Sequence, residues 1–311
     1  MIWLIGSGPM SEDYAKVLEA QKQNFLIVGR GKNSALAFEE KTGQSVITGG
    51  LENFLLTSPV SPSAAIVSVG IEQLYSTTIQ LLNYGVKQLL VEKPGGLTSA
   101  EIEHIESLSK QAGANTYIAY NRRFYSSVLK AQELIEAEGG VRTFNFEVTE
   151  WSHVIEKLKK GDGVLSKWFL GNTTHVADLA FYLGGQPKEM SCFTSGSLSW
   201  HPSSSAFAGA GRTKAGVLFN YGADWESAGR WSVEVLTNEN RYILRPMEAL
   251  QVQKRGTIPI LNVEIDNQLD EQFKPGLYCQ VASFLDGDNS RLCGISEQKE
   301  MIKLYERMAG Y

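Results

Sequence analysis

The apolar positions fall into two textures. Through the first third of the chain they come as short continuous runs: Met1-Ile2-Trp3-Leu4-Ile5, Phe25-Leu26-Ile27-Val28, Ala64-Ala65-Ile66-Val67-Ser68-Val69 and Val86 to Val91. Segments with apolar residues at helical spacing lie between them, as with Tyr14, Ala15, Val17 and Leu18 in Ser11 to Gln21. Strands that are apolar throughout are buried on both faces, and alternation with helices predicts a doubly wound parallel sheet. Tyr117 to Tyr120 reads as one more such strand. After a helix over Ser126 to Glu138 the pattern changes. Val141 to Val148 alternates apolar and polar, as in a sheet with one wet face. Glu189 to Ser195, Ala215 to Tyr221, Trp231 to Leu236 and Arg241 to Arg245 are further strand candidates, so a mixed or antiparallel second sheet is expected. Pro202-Ser203-Ser204-Ser205 reads as an exposed loop, and Ser296 to Met308 as a closing helix.

The length, 311 residues with 43% hydrophobic content, fits two cores. The expectation is a Rossmann-type α/β domain over residues 1–120, followed by an α+β domain over residues 121–311 whose open sheet is largely antiparallel; the last helix could pack back on the first domain. A net charge of −5 and the lack of a like-charge run speak against nucleic acid as a partner. No apolar run reaches the length that crosses a bilayer, so no membrane partner is expected. Three widely spaced cysteines, Cys192, Cys279 and Cys293, fit a cytoplasmic location. His104, His153 and His201 have no partner at ligand spacing, and no metal site is expected.

Candidate chemistry begins at Gly6-Ser7-Gly8-Pro9-Met10-Ser11, between the first strand and the first helix. In that context Gly6 allows a tight turn, Gly8 allows close backbone approach to a pyrophosphate, and the helix N-terminus at Pro9 and Met10 offers amides and a positive dipole end. Ser11 stands where a third glycine often sits. The acid that usually binds the adenosine ribose of NAD at the end of the second strand is absent. Val28-Gly29-Arg30-Gly31-Lys32-Asn33-Ser34 offers cations instead, which favours NADP over NAD; the alternative is that Arg30 stacks on adenine or is merely solvated. Ser68 and Val69, at the end of a third buried strand, complete the expected cofactor edge. Val91-Glu92-Lys93-Pro94 closes a fourth, where open parallel sheets place ligands. Lys93 there suits a substrate hydroxyl and proton transfer, or plain solvation.

Taken in order, the glycine turn, Glu92-Lys93-Pro94, Tyr120-Asn121-Arg122-Arg123-Phe124 and Asn172-Thr173-Thr174-His175-Val176-Ala177-Asp178 resemble the glucose-fructose oxidoreductase and inositol dehydrogenase (Gfo/Idh/MocA) family. The resemblance implies an NAD(P)-dependent oxidoreductase acting on a carbinol carbon of a sugar, polyol or nucleotide-sugar. It implies Lys93 and His175 as the catalytic pair, with Glu92 and Lys93 also at the cofactor. It also implies a homodimer or homotetramer formed through the second-domain sheet. His175 is either the general acid or base, or a helix histidine capped by neighbours such as Asp178. Substrate contacts are expected from Arg122, Arg123, Asn172, Thr174, His175 and Asp178. The two arginines suit either an anionic group of the substrate or interdomain struts. Two departures from the family pattern stand out: Gly171 occupies the place of an aspartate one turn before the histidine, and Tyr75 stands where a histidine often lies. The first leaves open a silent nicotinamide- or sugar-binding regulator; a lyase or isomerase that regenerates bound NAD is the other alternative.

Overall fold

A computed structural model describes the whole chain, Met1–Tyr311. It divides into two compact units, Met1–Tyr120 with Gln272–Ile302, and Asn121–Glu271 with Lys303–Tyr311. In chain order the first stretch comprises β1 (Ile2–Ile5), α1 (Pro9–Ala20), β2 (Phe25–Val28), α2 (Lys32–Thr42), β3 (Val46–Ile47), α3 (Gly50–Leu56), β4 (Ala64–Val67), α4 (Ile71–Tyr84), β5 (Gln88–Glu92), α5 (Ser99–Ala112) and β6 (Asn115–Ala119). The second comprises α6 (Ser126–Ala137), β7 (Thr143–Glu147), α7 (Ser152–Ile155), α8 (Thr174–Gly184), β8 (Pro187–Ser195), β9 (Ala206–Thr213), β10 (Leu218–Asp224), β11 (Ser232–Leu236), β12 (Asn240–Leu244), β13 (Gln251–Lys254), β14 (Ile260–Asn262) and α9 (Gln268–Gln272). The chain closes with α10 (Leu277–Asp286), β15 (Cys293–Gly294) and α11 (Ile295–Ala309). No helix is long and apolar enough to cross a membrane.

The first sheet has the order β15-β6-β5-β4-β1-β2-β3 and is parallel except for β15. Strand β1 pairs with β2 on one side and β4 on the other, with Leu4 opposite Ile27 and Ile66. All four residues of β1 and of β4 are buried, as their continuous apolar runs require. The chain order reverses at β1, so the crevice beyond its carboxyl end is the place where such a sheet takes a ligand.

The second sheet, β14-β13-β12-β11-β7-β10-β9-β8, is antiparallel apart from the β7/β10 pair. Phe144 and Phe146 of β7 point to the buried face, where they join Phe219, Tyr221 and the edge-on ring of Phe181 from α8. Gly184 admits α8 to this face, since a Cβ there would lie 2.3 Å from the Phe144 ring.

Strand β9 has no apolar alternation to announce it. Its Gly209 and Gly211 lie opposite Tyr221 and Phe219, whose rings occupy the space a side chain would need. The loop expected to be exposed is only partly so. Ser204 and Ser205 are buried, because the Ser204 hydroxyl donates to the Ala309 carbonyl at 2.7 Å and that of Ser205 to Glu226 at 3.0 Å.

Candidate active site

The turn between β1 and α1 is built for close approach. Gly6 has φ +127°, and an added Cβ would lie 2.1 Å from the Ser68 carbonyl oxygen. Only glycine fits there. Gly8 is the N-cap of α1, and a Cβ at Gly8 would meet nothing within 4 Å. No side chain caps the helix, and Pro9 in its first turn has no N–H to leave unsatisfied. The amides that follow, beginning at Met10, therefore present donors and a positive dipole end to open space, a cradle that fits a pyrophosphate. Ser11 also has a reason. Its hydroxyl lies 3.2 Å from both the carbonyl oxygen and the hydroxyl of Ser68, so the residue in the third-glycine place ties α1 to the turn after β4. Val69 follows in that turn, before α4 begins at Ile71.

At the end of β2, Gly29 is confined by Ser7 and Val46, while Arg30 is exposed. The Ser7 hydroxyl donates to that of Ser34 at 3.2 Å, which in turn donates to the Gly31 carbonyl at 2.9 Å. Gly29 to Ser34 contains no carboxylate.

The Glu92-Lys93-Pro94 turn is held from both sides. The Tyr14 phenol donates to Glu92 Oε1 at 2.7 Å, and burial drives the Glu92 pKa up, against the lowering effect of Lys93 and of this bond. The same burial, reinforced by Glu92, holds the Tyr14 phenol well above 10. Beyond Lys93 the Pro94 carbonyl accepts from Gln298 Nε2 at 2.9 Å, and Gln298 also bonds the Tyr120 hydroxyl at 3.2 Å. Lys93 itself is half-buried. No sequence motif marked Tyr14 or Gln298. Tyr75, the second departure from the family pattern, bonds His104 Nδ1 at 2.6 Å and so links α4 to α5.

Lys93 belongs to the first unit and His175 to the second. His175 is buried in the first turn of α8, after a π-helical turn over Phe169–Thr173. A carboxylate reaches the turn after Gly171 from elsewhere in the chain. Glu150, just past β7 and 2% exposed, accepts from Asn172 Nδ2 and from Thr173 Oγ1, each at 2.9 Å. Burial raises its pKa, and these two bonds oppose the rise. Sequence reading missed Glu150 because it lies on another element.

The other second-unit candidates differ among themselves. Asn172 is engaged by Glu150, and Thr174 donates to the Leu170 carbonyl at 2.8 Å, so neither side chain lacks a partner within the protein. Asp178 binds the Arg123 fork, with Nε at 2.8 Å and Nη2 at 2.5 Å, and Arg123 also lies 4.8 Å from the Tyr182 ring centroid. That pair is inside the second unit, both members at most 4% exposed, which gives Arg123 a structural partner rather than a ligand-facing charge. Arg122 is different: its guanidinium lies 4.8 Å from the Trp231 ring, and Trp231 lies 6.4 Å from the His175 ring. Of the other tryptophans, Trp168, Trp200 and Trp225 form an aromatic core with Phe169 and Phe207, while Trp151 is exposed.

No curated protein sequence matches the chain. Solved structures share its fold over 99% of its length. A UDP-N-acetylglucosamine 3-dehydrogenase, GnnA, from Acidithiobacillus ferrooxidans is 12% identical, with 96% of that chain covered and a TM-score of 0.74. A putative NADPH-dependent oxidoreductase from Desulfitobacterium hafniense is 14% identical, with 94% covered and a TM-score of 0.80. A levoglucosan dehydrogenase in complex with NADH and levoglucosan is 16% identical, with 95% covered and a TM-score of 0.78. Residues 1–120 match the model of the Gfo/Idh/MocA family, described as an oxidoreductase family with an NAD-binding Rossmann fold.

Proposed function

We propose that this protein is an NAD(P)-dependent dehydrogenase, preferring NADP, that acts on a carbinol carbon of a sugar, polyol or nucleotide-sugar. The observation that carries the reading is the uncapped start of α1 above the open position at Gly8, on the same sheet edge as Lys93. The fold shared with a levoglucosan dehydrogenase and with a UDP-N-acetylglucosamine 3-dehydrogenase supports the sugar class.

Gly6, Gly8, Pro9 and Met10 would hold the pyrophosphate, with Ser68, Val69 and Glu92 along the same edge. Arg30 would pair with a 2′-phosphate. When bound, the nicotinamide supplies or accepts the hydride. The Lys93 ammonium donates a hydrogen bond to the reacting oxygen and stabilises developing alkoxide. His175 would exchange the carbinol proton, a task suited to an imidazole. Glu150 fixes the turn that carries His175 through Asn172 and Thr173. Homo-oligomer formation through the second sheet is part of the same reading, with Phe193 and Leu218 exposed on its strands.

The test is separate titration with NADPH and NADH, following reduced-nicotinamide fluorescence, with Arg30→Ala alongside, and then a screen of sugars and polyols for hydride transfer. Lys93→Ala and His175→Ala should abolish turnover, and His175→Ala should retain nucleotide binding. If neither nucleotide binds at millimolar concentration, the reading fails.

A further inference from the structure

Arg122 and Arg123 are adjacent in sequence and opposite in environment. Arg123 spends its charge on both oxygens of Asp178. Arg122 has aromatic neighbours instead: Trp231 at 4.8 Å and Tyr125 at 5.8 Å from its guanidinium carbon. Its Nε is buried without a hydrogen-bond partner, and the acids Glu248 and Glu150 influence it only through their charge. Burial lowers the Arg122 pKa from its ordinary value, although the residue as a whole is half-buried. A buried N–H such as this Nε is costly to leave without a partner, and a ligand could supply the acceptor.

A second cation shares the same indole. The Arg230 guanidinium lies 4.4 Å from the Trp231 ring and 4.6 Å from that of Trp151, and its contact with Glu150 is long, at 3.4 Å. His175, whose ring lies 6.4 Å from Trp231, is the proposed proton-exchanging group. Two guanidiniums on one aromatic ring beside that histidine offer planar forks of donors that match the oxygens of a carboxylate or phosphate.

We propose that Arg122 and Arg230, held against Trp231, bind an oxyanion carried by the substrate, so that the substrate is a sugar acid or a phosphorylated sugar rather than a neutral one. This rests on the dehydrogenase reading for the word substrate, but the anion site is testable without turnover.

The experiment is calorimetric titration of the full chain, with and without NADPH, using D-glucuronate, D-glucose 6-phosphate and D-glucose as probes. At least one anionic probe should bind about 10- to 100-fold more tightly than glucose, as one or two charge-assisted hydrogen bonds imply. Preference for glucuronate identifies a carboxylate, and preference for the phosphate a phosphoryl group. Arg122→Leu should remove the advantage. Arg122→Lys, which keeps the charge but loses the fork, should remove most of it and serves if the leucine variant does not fold. Equal binding of glucose and both anions, no binding of any probe, or an advantage that survives in both Arg122→Lys and Arg230→Gln overturns the proposal. NADPH titration of the same samples separates the failures: NADPH binding without anion preference removes this inference alone, whereas no NADPH binding removes the dehydrogenase reading.

Discussion

The phenol of Tyr14 donates a 2.7 Å hydrogen bond to Glu92, joining the helix that opens at the glycine turn to the residue before Lys93. Glu92 is half-buried, and desolvation drives its pKa up, so this bond compensates a partly desolvated carboxylate. Tyr14→Phe should therefore cost about 1–3 kcal/mol of stability near neutral pH. The loss should shrink in acid, where the protonated carboxyl no longer needs the donor. Urea denaturation at two pH values checks both statements, and a variant as stable as the parent would show that the bond contributes nothing.

Gly6 and Gly8 are glycines for separate reasons, and alanine at each should fail differently. Gly6→Ala places a methyl against the Ser68 carbonyl at a φ of +127°, so the fold itself should lose stability, by at least about 1–3 kcal/mol. Gly8→Ala meets no protein atom within 4 Å, and its backbone, φ −101°, is open to any residue. Its melting temperature should be unchanged, while nucleotide affinity falls about tenfold or more, as the loss of one charge-assisted hydrogen bond implies. Thermal melts together with fluorescence titration distinguish the two. Unimpaired binding by Gly8→Ala would move the pyrophosphate elsewhere.

These contrasts show what the sequence made legible. The first domain could be read because its strands are apolar throughout and its functional turns follow them directly along the chain. Gly6, Gly8 and Lys93 each stand at the end of such a run. In the second unit the information is spatial. Strand β9 was invisible because Gly209 and Gly211 take their apolar cover from Tyr221 and Phe219 on the next strand. The absence of an acid at Gly171 is visible, but that Glu150 reaches the turn of Asn172 and Thr173 from beyond β7 is something no local spacing reveals. Arg122 and Arg123 were indistinguishable as letters, and only packing assigns one to Asp178 and the other to Trp231.

Arg30 is exposed at the end of β2, with no carboxylate in the turn that follows. A 2′-phosphate there would meet a cation and the hydroxyl network of Ser7 and Ser34. Arg30→Ala should weaken NADPH binding by about 10- to 100-fold and leave NADH within about threefold, because only NADPH carries the group that the guanidinium would grip. Raised salt should weaken NADPH binding more than NADH binding if Arg30 pairs with the 2′-phosphate, since an exposed ion pair is screened. Equal loss of both nucleotides in the variant would assign Arg30 to the adenine instead.

Glu150 provides a pH test of the turn that carries His175. Its pKa is raised from the ordinary 4.5, chiefly by burial, with the bonds from Thr173 and Asn172 and the charge of Arg230 acting the other way. A carboxyl whose pKa is higher in the folded than in the unfolded state favours folding below the unfolded value. That contribution is lost as pH rises through the folded one. Glu150→Gln cannot ionise, yet it keeps an oxygen able to accept from Thr173 or Asn172. The melting temperature of the variant minus that of the parent should therefore increase with pH from about 4 to about 8, through the window in which the parent must charge a buried group. A difference that stays flat or falls would mean that Arg230, despite its 3.4 Å contact, neutralises the carboxylate fully. The turn before His175 would then be fixed by an ion pair rather than by hydrogen bonds to a desolvated acid.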